Sequence, residues 1–177
     1  KRIGADDALF ALCQDKFRSG ALLSALGVPV PAATLARNAA LLSPRIPDAE
    51  SYFVKPNRLG AKIGIYETSH CATFDEALAL SRRVFEEFRD DVVIQAYLPG
   101  ANIRASWLDV SGKSDLSKLG IFRVNSGSDF QTMADSMALY GDSGTQMRAA
   151  GLYAEPTLVD LYDENPSAVD HITAIAA

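Results

Sequence analysis

Short apolar runs that stop at proline are what most limit how this chain can fold. "SYFVKP" ends at Pro56, and "DVVIQAYL" runs into Pro99-Gly100, a strong turn signal. A further run, "IGIYETS", reads as a return strand soon after the first. Connections this short join antiparallel neighbours, because a parallel crossover needs roughly a dozen residues or more. Between the runs, Thr73 and Glu76 in "TFDE" form a capping-box signature. The helix that follows carries Phe74, Leu78, Phe85 and Phe88 on one stripe, with Arg82, Arg83, Glu86 and Glu87 largely outside it. The order helix, strand, strand, strand, helix, strand over residues 15–98 predicts an α+β fold. Its sheet is mixed or antiparallel, with helices on one face.

Upstream, "ADDALFALC" has helical periodicity. Asp15 is a fresh N-cap for "KFRSGALLSALG", which stops at Gly27. Pro29 and Pro31 hold "VPVPAATLA" extended as an edge strand or strand entry. "LLSPRIPDAE" is a turn-rich connector. Downstream, "IRASWLDV" and "LGIFRV" form a further strand pair, residues 126–151 read as loop with one short helix, and Ser167 with Asp170 marks the start of the last helix. The chain opens on "KRIG" without methionine and closes on the apolar run "DHITAIAA", so it is read as a piece of a longer protein.

Charge narrows the partners. A formal net charge of −5 gives the average surface nothing to attract nucleic acid or an anionic membrane, and neither is expected as a partner. No apolar run approaches the roughly 18 to 20 residues that span a bilayer, and no signal-peptide pattern is visible. Cys13 and Cys71 lack zinc or disulfide-framework spacing and read as two buried free thiols, which suits the cytoplasm.

Against that acidic background, "YFVKPNRLGAKIGIY" gathers Lys55, Arg58 and Lys62 without one acid. Gly60 and Gly64 flank Ala61-Lys62-Ile63, and a glycine-permitted turn can aim backbone N–H groups at a phosphate. Taken alone, such cationic turns are more often solvated hairpins. Lys16 stands in the first turn of its helix, where a cation opposes the helix dipole unless an anion sits nearby or the side chain snorkels away. "VVIQAYLPGAN" reads as a core strand and turn, or as a strand end whose backbone, with Gln95 and Asn102, meets a flat heterocycle. His70 and His171 lie apart without a metal-ligand pattern. Ser126, Ser128 and Ser136 lack a nucleophile elbow, and "DENPS" reads as a turn feeding a helix rather than a metal cluster.

In chain order, "QDKFRSGALLSALGVPVP", "YFVKPNRLGAKIGI" and "VVIQAYLPGAN" resemble the ATP-grasp superfamily, and within it the D-alanine–D-alanine ligase-like branch. The resemblance covers roughly residues 10–110. It implies a small ATP-grasp lobe with its phosphate loop at residues 50–101, after entry helices and a connector at 1–49. Residues 102–177 would begin the larger lobe, left incomplete. By resemblance, Lys16 and Lys55 contact ATP phosphates or adenine, and Gly60, Ala61, Lys62 and Gly64 form the lid over the β- and γ-phosphates. Gln95 stands where the family has a glutamate facing adenine, Ala96 and Leu98 offer backbone groups, and Asn102 takes the place of the ribose-binding glutamate. Ala61 and Lys62 replace the family's usual serines. No lysine follows Lys118, so Arg123 and Arg148 are the substitutes for a further phosphate lysine.

The resemblance implies an ATP-dependent carboxylate–amine ligase that works through an acyl phosphate on small-molecule, amino-acid-like substrates, as a homodimer. The family's Mg2+ ligands lie on strands beyond this chain, so no catalytic or metal residue is assigned, and the chain alone is expected to be incomplete for catalysis. Two other readings stay open. One is a non-catalytic nucleotide-binding module; the other is an α/β domain without a nucleotide site.

Overall fold

The computed structural model describes residues 6–43, 45–107, 119–125, 129–133 and 157–176. The chain divides into two units: residues 1–98 with 131–140, and residues 99–130 with 141–177.

The first unit begins with α1 (Asp7–Gln14) and α2 (Lys16–Ala25). Asp15 closes the first helix and caps the second, accepting the Arg18 N–H at 3.0 Å. The stop at Gly27 also forms as the residues foretell. Val28 N–H reaches Leu23 C=O at 2.9 Å and Gly27 N–H reaches Ser24 C=O at 3.1 Å, with Gly27 at φ 84°. Those two bonds close a Schellman motif that needs a left-handed residue in this position.

A five-stranded antiparallel sheet follows, in the order β2-β1-β5-β3-β4. Its strands are β1 (Ala33–Arg37), β2 (Ala40–Leu41), β3 (Tyr52–Pro56), β4 (His70–Cys71) and β5 (Val92–Ala96). Helix α3 (Phe74–Phe88) covers one face and starts at the expected capping box: Thr73 Oγ1 accepts Glu76 N–H at 3.2 Å, and Glu76 accepts Thr73 N–H at 3.3 Å. Its apolar stripe, extended by Ala77 and Val84, packs on Tyr52, Val54, Val92, Ile94 and Ala36. The α+β class, the antiparallel sheet and the helix on one face are thus as the sequence implies.

Three local expectations are corrected. "IGIYETS" is not a strand: Glu67–Ser69 form a 3-10 turn, and only His70 and Cys71 pair with β3. The backbone ahead of them is turned by left-handed residues at Ala61, Lys62 and Gly64, which no extended strand accommodates. Cys71 is buried, but Cys13 is exposed, because the α1 face that carries it meets no core. The last helix starts at Pro166, one residue ahead of Ser167, because Asn165 Oδ1 accepts the Ala168 N–H at 3.2 Å and proline suits the first helical position.

The second unit holds a three-stranded antiparallel sheet, β6 (Asn102–Ser106), β7 (Gly120–Asn125) and β8 (Thr157–Asp160). The β6–β7 pair is the one read from the sequence; β8 was not foreseen. Helices α4 (Leu161–Glu164) and α5 (Pro166–Ala176) complete it, with Leu119, Ile121, Leu161 and Val169 as its core. Most of residues 126–151, read as loop with a short helix, lies outside the described residues. No described helix is long and apolar enough to cross a membrane.

Gly64 is where local geometry and packing meet. It sits at φ 74°, and a Cβ there would lie 2.5 Å from Pro56 Cγ and 3.1 Å from Phe88 Cε2. Gly64→Ala is expected to destabilise the chain by roughly 2 to 4 kcal/mol, summing left-handed strain and overpacking. Urea unfolding measures it, and a loss below about 1 kcal/mol would contradict this placement.

Candidate functional site

Strand register decides which side chains share the face opposite α3. Lys55 pairs with Val93 and Phe53 with Gln95, while Leu35 and Ala33 of β1 pair with the same two β5 residues. Side chains alternate along a strand, so Tyr52, Val54 and Pro56 pack toward α3, and Phe53 and Lys55 lie on the other face. Two of the sequence-derived residues, Lys55 and Gln95, therefore share one surface. Ala96 and Leu98 follow Gln95 at the strand end. The Ala96 N–H already donates to Ala32 C=O at 2.8 Å, and Leu98 is exposed.

Lys55 is mostly buried, and burial together with the positive charge of Lys16 lowers its pKa from 10.5 to about 8. Among the described residues no carboxylate or hydrogen-bond acceptor meets its ammonium. Lys16 is placed by a different logic. Its Nζ donates to Leu59 C=O at 2.6 Å and Asn57 C=O at 3.2 Å, so the side chain neither snorkels into solvent nor opposes the dipole unanswered. An ammonium has three N–H groups, and these bonds engage two of them. Burial lowers the Lys16 pKa as well, partly offset by Asp90 and Asp15.

The glycine-flanked loop is a double turn. Ile63 N–H bonds Gly60 C=O at 3.0 Å across Ala61 and Lys62, whose φ values are 50° and 61°. Ile65 N–H then bonds Lys62 C=O at 3.0 Å, with Gly64 at the left-handed position. Each non-glycine residue held left-handed costs roughly 1 kcal/mol, a kind of strain that clusters at functional loops. The Lys62 ammonium meets Gln131 Oε1, and Met133 N–H bonds Ile65 C=O at 2.8 Å.

Arg58, the third cation of the stretch, has another task. Its guanidinium faces three buried carboxylates: Asp15 at 3.3 Å, Asp90 at 3.5 Å and Asp91 at 3.6 Å. Arg37 grips Asp91 with two bonds of 2.7 and 3.0 Å and holds that carboxyl below its usual pKa, against the effect of burial. Burial also works to raise the Asp15 pKa. The Arg18 N–H, the Asn57 amide and the Arg58 and Arg18 charges outweigh it, and the value is lowered. Sequence reasoning read Asp15 only as a cap and passed over Asp90 and Asp91. The available signal was an acidic pair directly ahead of an all-apolar strand.

A stacked aromatic trio was also missed. His70 lies 3.8 Å from Tyr97 ring to ring, Tyr97 lies 6.2 Å from Phe53, and Phe53 is the register partner of Gln95. Asn102 opens β6 in the second unit, exposed and opposite Val124. Arg123, a candidate phosphate cation, is engaged by Glu164 at 2.5 and 2.7 Å, and Arg148 lies outside the described residues. Among the described residues no group of three His, Cys, Asp or Glu side chains could hold a metal.

No family profile matches the chain. Curated proteins do, two D-alanine–D-alanine ligases among them. A D-alanine–D-alanine ligase of Jannaschia sp. (strain CCS1) is 31% identical over 98 residues, covering 55% of this chain and 29% of that protein. The resemblance to the D-alanine–D-alanine ligase branch of the ATP-grasp superfamily stands. A second ligase of that name, from Ruegeria sp. (strain TM1040), is 34% identical over 90 residues, covering 51% of this chain and 27% of that protein. The chain thus spans less than a third of the length of these relatives. Among solved structures, the D-alanine–D-alanine ligase from Bacillus anthracis overlays with a TM-score of 0.49 at 16% identity, covering 84% of this chain and 55% of that one.

The lowered Lys55 pKa has a definite sign in stability. Between about 8 and 10.5 the unfolded chain keeps the Lys55 proton that the folded chain has lost, so this group makes stability rise with pH across that window. Below about 8 both states carry the charge and the folded state bears the full penalty. The difference in thermal midpoint between the wild type and Lys55→Met should therefore change from pH 8 to pH 10, in the direction that favours the wild type at high pH. A pH-independent difference would contradict the burial of an unpaired ammonium.

Proposed function

We propose that the first unit is the nucleotide-binding portion of an ATP-dependent carboxylate–amine ligase, with ATP phosphates as the anion its lysines await. The supporting observation is Lys55, an ammonium on a sheet face with Lys16 nearby and no counter-charge among the described residues. Bringing two cations together costs energy that an anion would return as binding. Curated ligases related over half the chain make a nucleoside triphosphate the fitting anion. Lys55 and the third N–H of Lys16 would meet phosphate oxygens, and the strained turn at Ala61 and Lys62 would lie over them. Gln95 would hydrogen-bond the adenine edge beside the aromatic trio, and backbone groups near Leu98 would complete that contact.

In the whole protein, ATP would phosphorylate a carboxylate, and an amine, such as that of an amino acid, would displace the phosphate. Positioning and charge stabilisation are the protein's share of such chemistry. The described residues do not fit a Mg2+ site, so no step is assigned through the metal here. A narrower reading is a nucleotide-binding module without chemistry, favoured by Ala61 and Lys62 where the resemblance leads to serines.

Titration calorimetry of the full chain with ATP tests the proposal. The Lys55→Ala, Lys62→Ala double variant should bind ATP at least about tenfold more weakly, since each contact to a charged group contributes roughly 1.5 to 3 kcal/mol. Equal affinity would remove the site assignment. This chain alone is expected to show no amino-acid-dependent ADP release; steady turnover would show that the catalytic set is complete within it.

A further inference from the structure

The loop that carries Lys62 is bound from two sides at its start, residues 57–59, while turn bonds and the Lys62 contact with Gln131 close residues 60–63. From the α2 side, Lys16 N–H donates to Asn57 C=O at 3.1 Å, and Asn57 Oδ1 accepts Phe17 N–H at 2.9 Å. From the β5 side, Asn57 N–H donates to Asp91 C=O at 2.7 Å. Asp90 Oδ2 accepts the N–H groups of Arg58 and Leu59 at 2.6 and 3.3 Å. The Arg58 guanidinium lies between the two sides and spans both, through Asp15 at the start of α2 and Asp90 with Asp91 at the start of β5.

Charge explains why an arginine does this. Asp15, Asp90 and Asp91 are 4%, 7% and 5% exposed. Three carboxylates so close together and so dry repel one another unless cations lie between them. Arg37 and Arg18 reach Asp91 and Asp15 from the outside, but among the described residues only Arg58 faces all three. A planar guanidinium with five N–H donors can bridge separate acids, which a single ammonium does poorly. The network also separates charges by type. Arginines neutralise the acids, and Lys55 meets none among the described residues.

Building on the nucleotide reading above, we propose that Arg58 is a positioning residue: it clamps residues 57–59 between the starts of α2 and β5, and so holds Lys16 and the 60–63 turn in register with Lys55 for one polyphosphate, which Arg58 itself does not touch. Its own charge is engaged by the carboxylates. Losing it would both loosen the loop entry and leave uncompensated negative charge beside an anion site.

The test uses the full chain with Arg58→Ala and Asp90→Asn. Hydrogen–deuterium exchange should show the amides of residues 57–63 exchanging at least tenfold faster in Arg58→Ala, with those of α3 within twofold of wild type. Asp90→Asn keeps an oxygen acceptor for the two N–H groups but loses the charge facing Arg58, and should shift the same amides by less. In calorimetry, Arg58→Ala should weaken ATP binding at least tenfold. Where Arg58→Ala does not fold, Arg58→Lys serves; it keeps a positive charge among the acids and should move both readouts in the same direction by less. Exchange at 57–63 unchanged in a folded variant would overturn the clamp, and so would an equal rise in α3. ATP affinity within twofold of wild type, with the loop loosened, would overturn the positioning role. Failure of the wild type to bind ATP would refute the nucleotide reading, while the exchange measurement would still decide the clamp.

Discussion

The register of β3 against β5 is the constraint on which the rest of the first unit depends. Tyr52 and Val54 pack against α3, Pro56 is buried on the same face, and the residues between them lie on the opposite one. A slip of one residue would exchange those faces, turn Val54 outward and drive the Lys55 ammonium against Val84, Val92 and Ile94. Burying a charge there without a partner is far more costly than any single ladder bond could offset. Five consecutive residue pairs and the stripe of α3 hold the register against that outcome. The same alternation that builds the core thus delivers Lys55 and Gln95 to one surface.

Cations divide their work according to their chemistry. Arg37 and Arg58 lie against buried aspartates, where a planar, permanently charged group can satisfy several oxygens. Lysines respond to burial by giving up proton affinity, and both Lys16 and Lys55 do so. Lys16 is partly satisfied by backbone carbonyls of the loop it supports, which ties the helix start to the turn. Lys55 has no such relief among the described residues. An anionic ligand would therefore gain most from Lys55, and this is the physical basis of the nucleotide reading.

Local signals were legible wherever the energetics are local. The Thr73–Glu76 box, the Asp15 cap and the Gly27 stop each act within one helical turn, and each forms as its residues imply. The Pro-ended runs likewise became β3 and β5. The loop after Pro56 was less legible. Ala61 and Lys62 carry none of the glycine or asparagine preference that marks left-handed backbone, so "IGIYETS" read as a strand when it holds turns, and the pairing falls to His70 and Cys71 after it. What holds the loop in that shape comes from Asp90, Asp91, Gln131 and Met133, all distant in sequence.

By itself, then, the sequence determined the main helices and the paired strands β3, β5, β6 and β7, the order of the ligase-like blocks and the gathering of cations around two glycines. Only the tertiary structure decided what each cation does. Arg58 turned inward to three carboxylates, Lys16 to backbone carbonyls, and Lys55 was left on a sheet face beside Gln95. Composition cannot make that division, because an arginine and a lysine a few residues apart look alike until burial and the nearest acid are known. Those two quantities depend on the three-dimensional meeting of α2, the loop and the start of β5, segments that lie far apart along the chain.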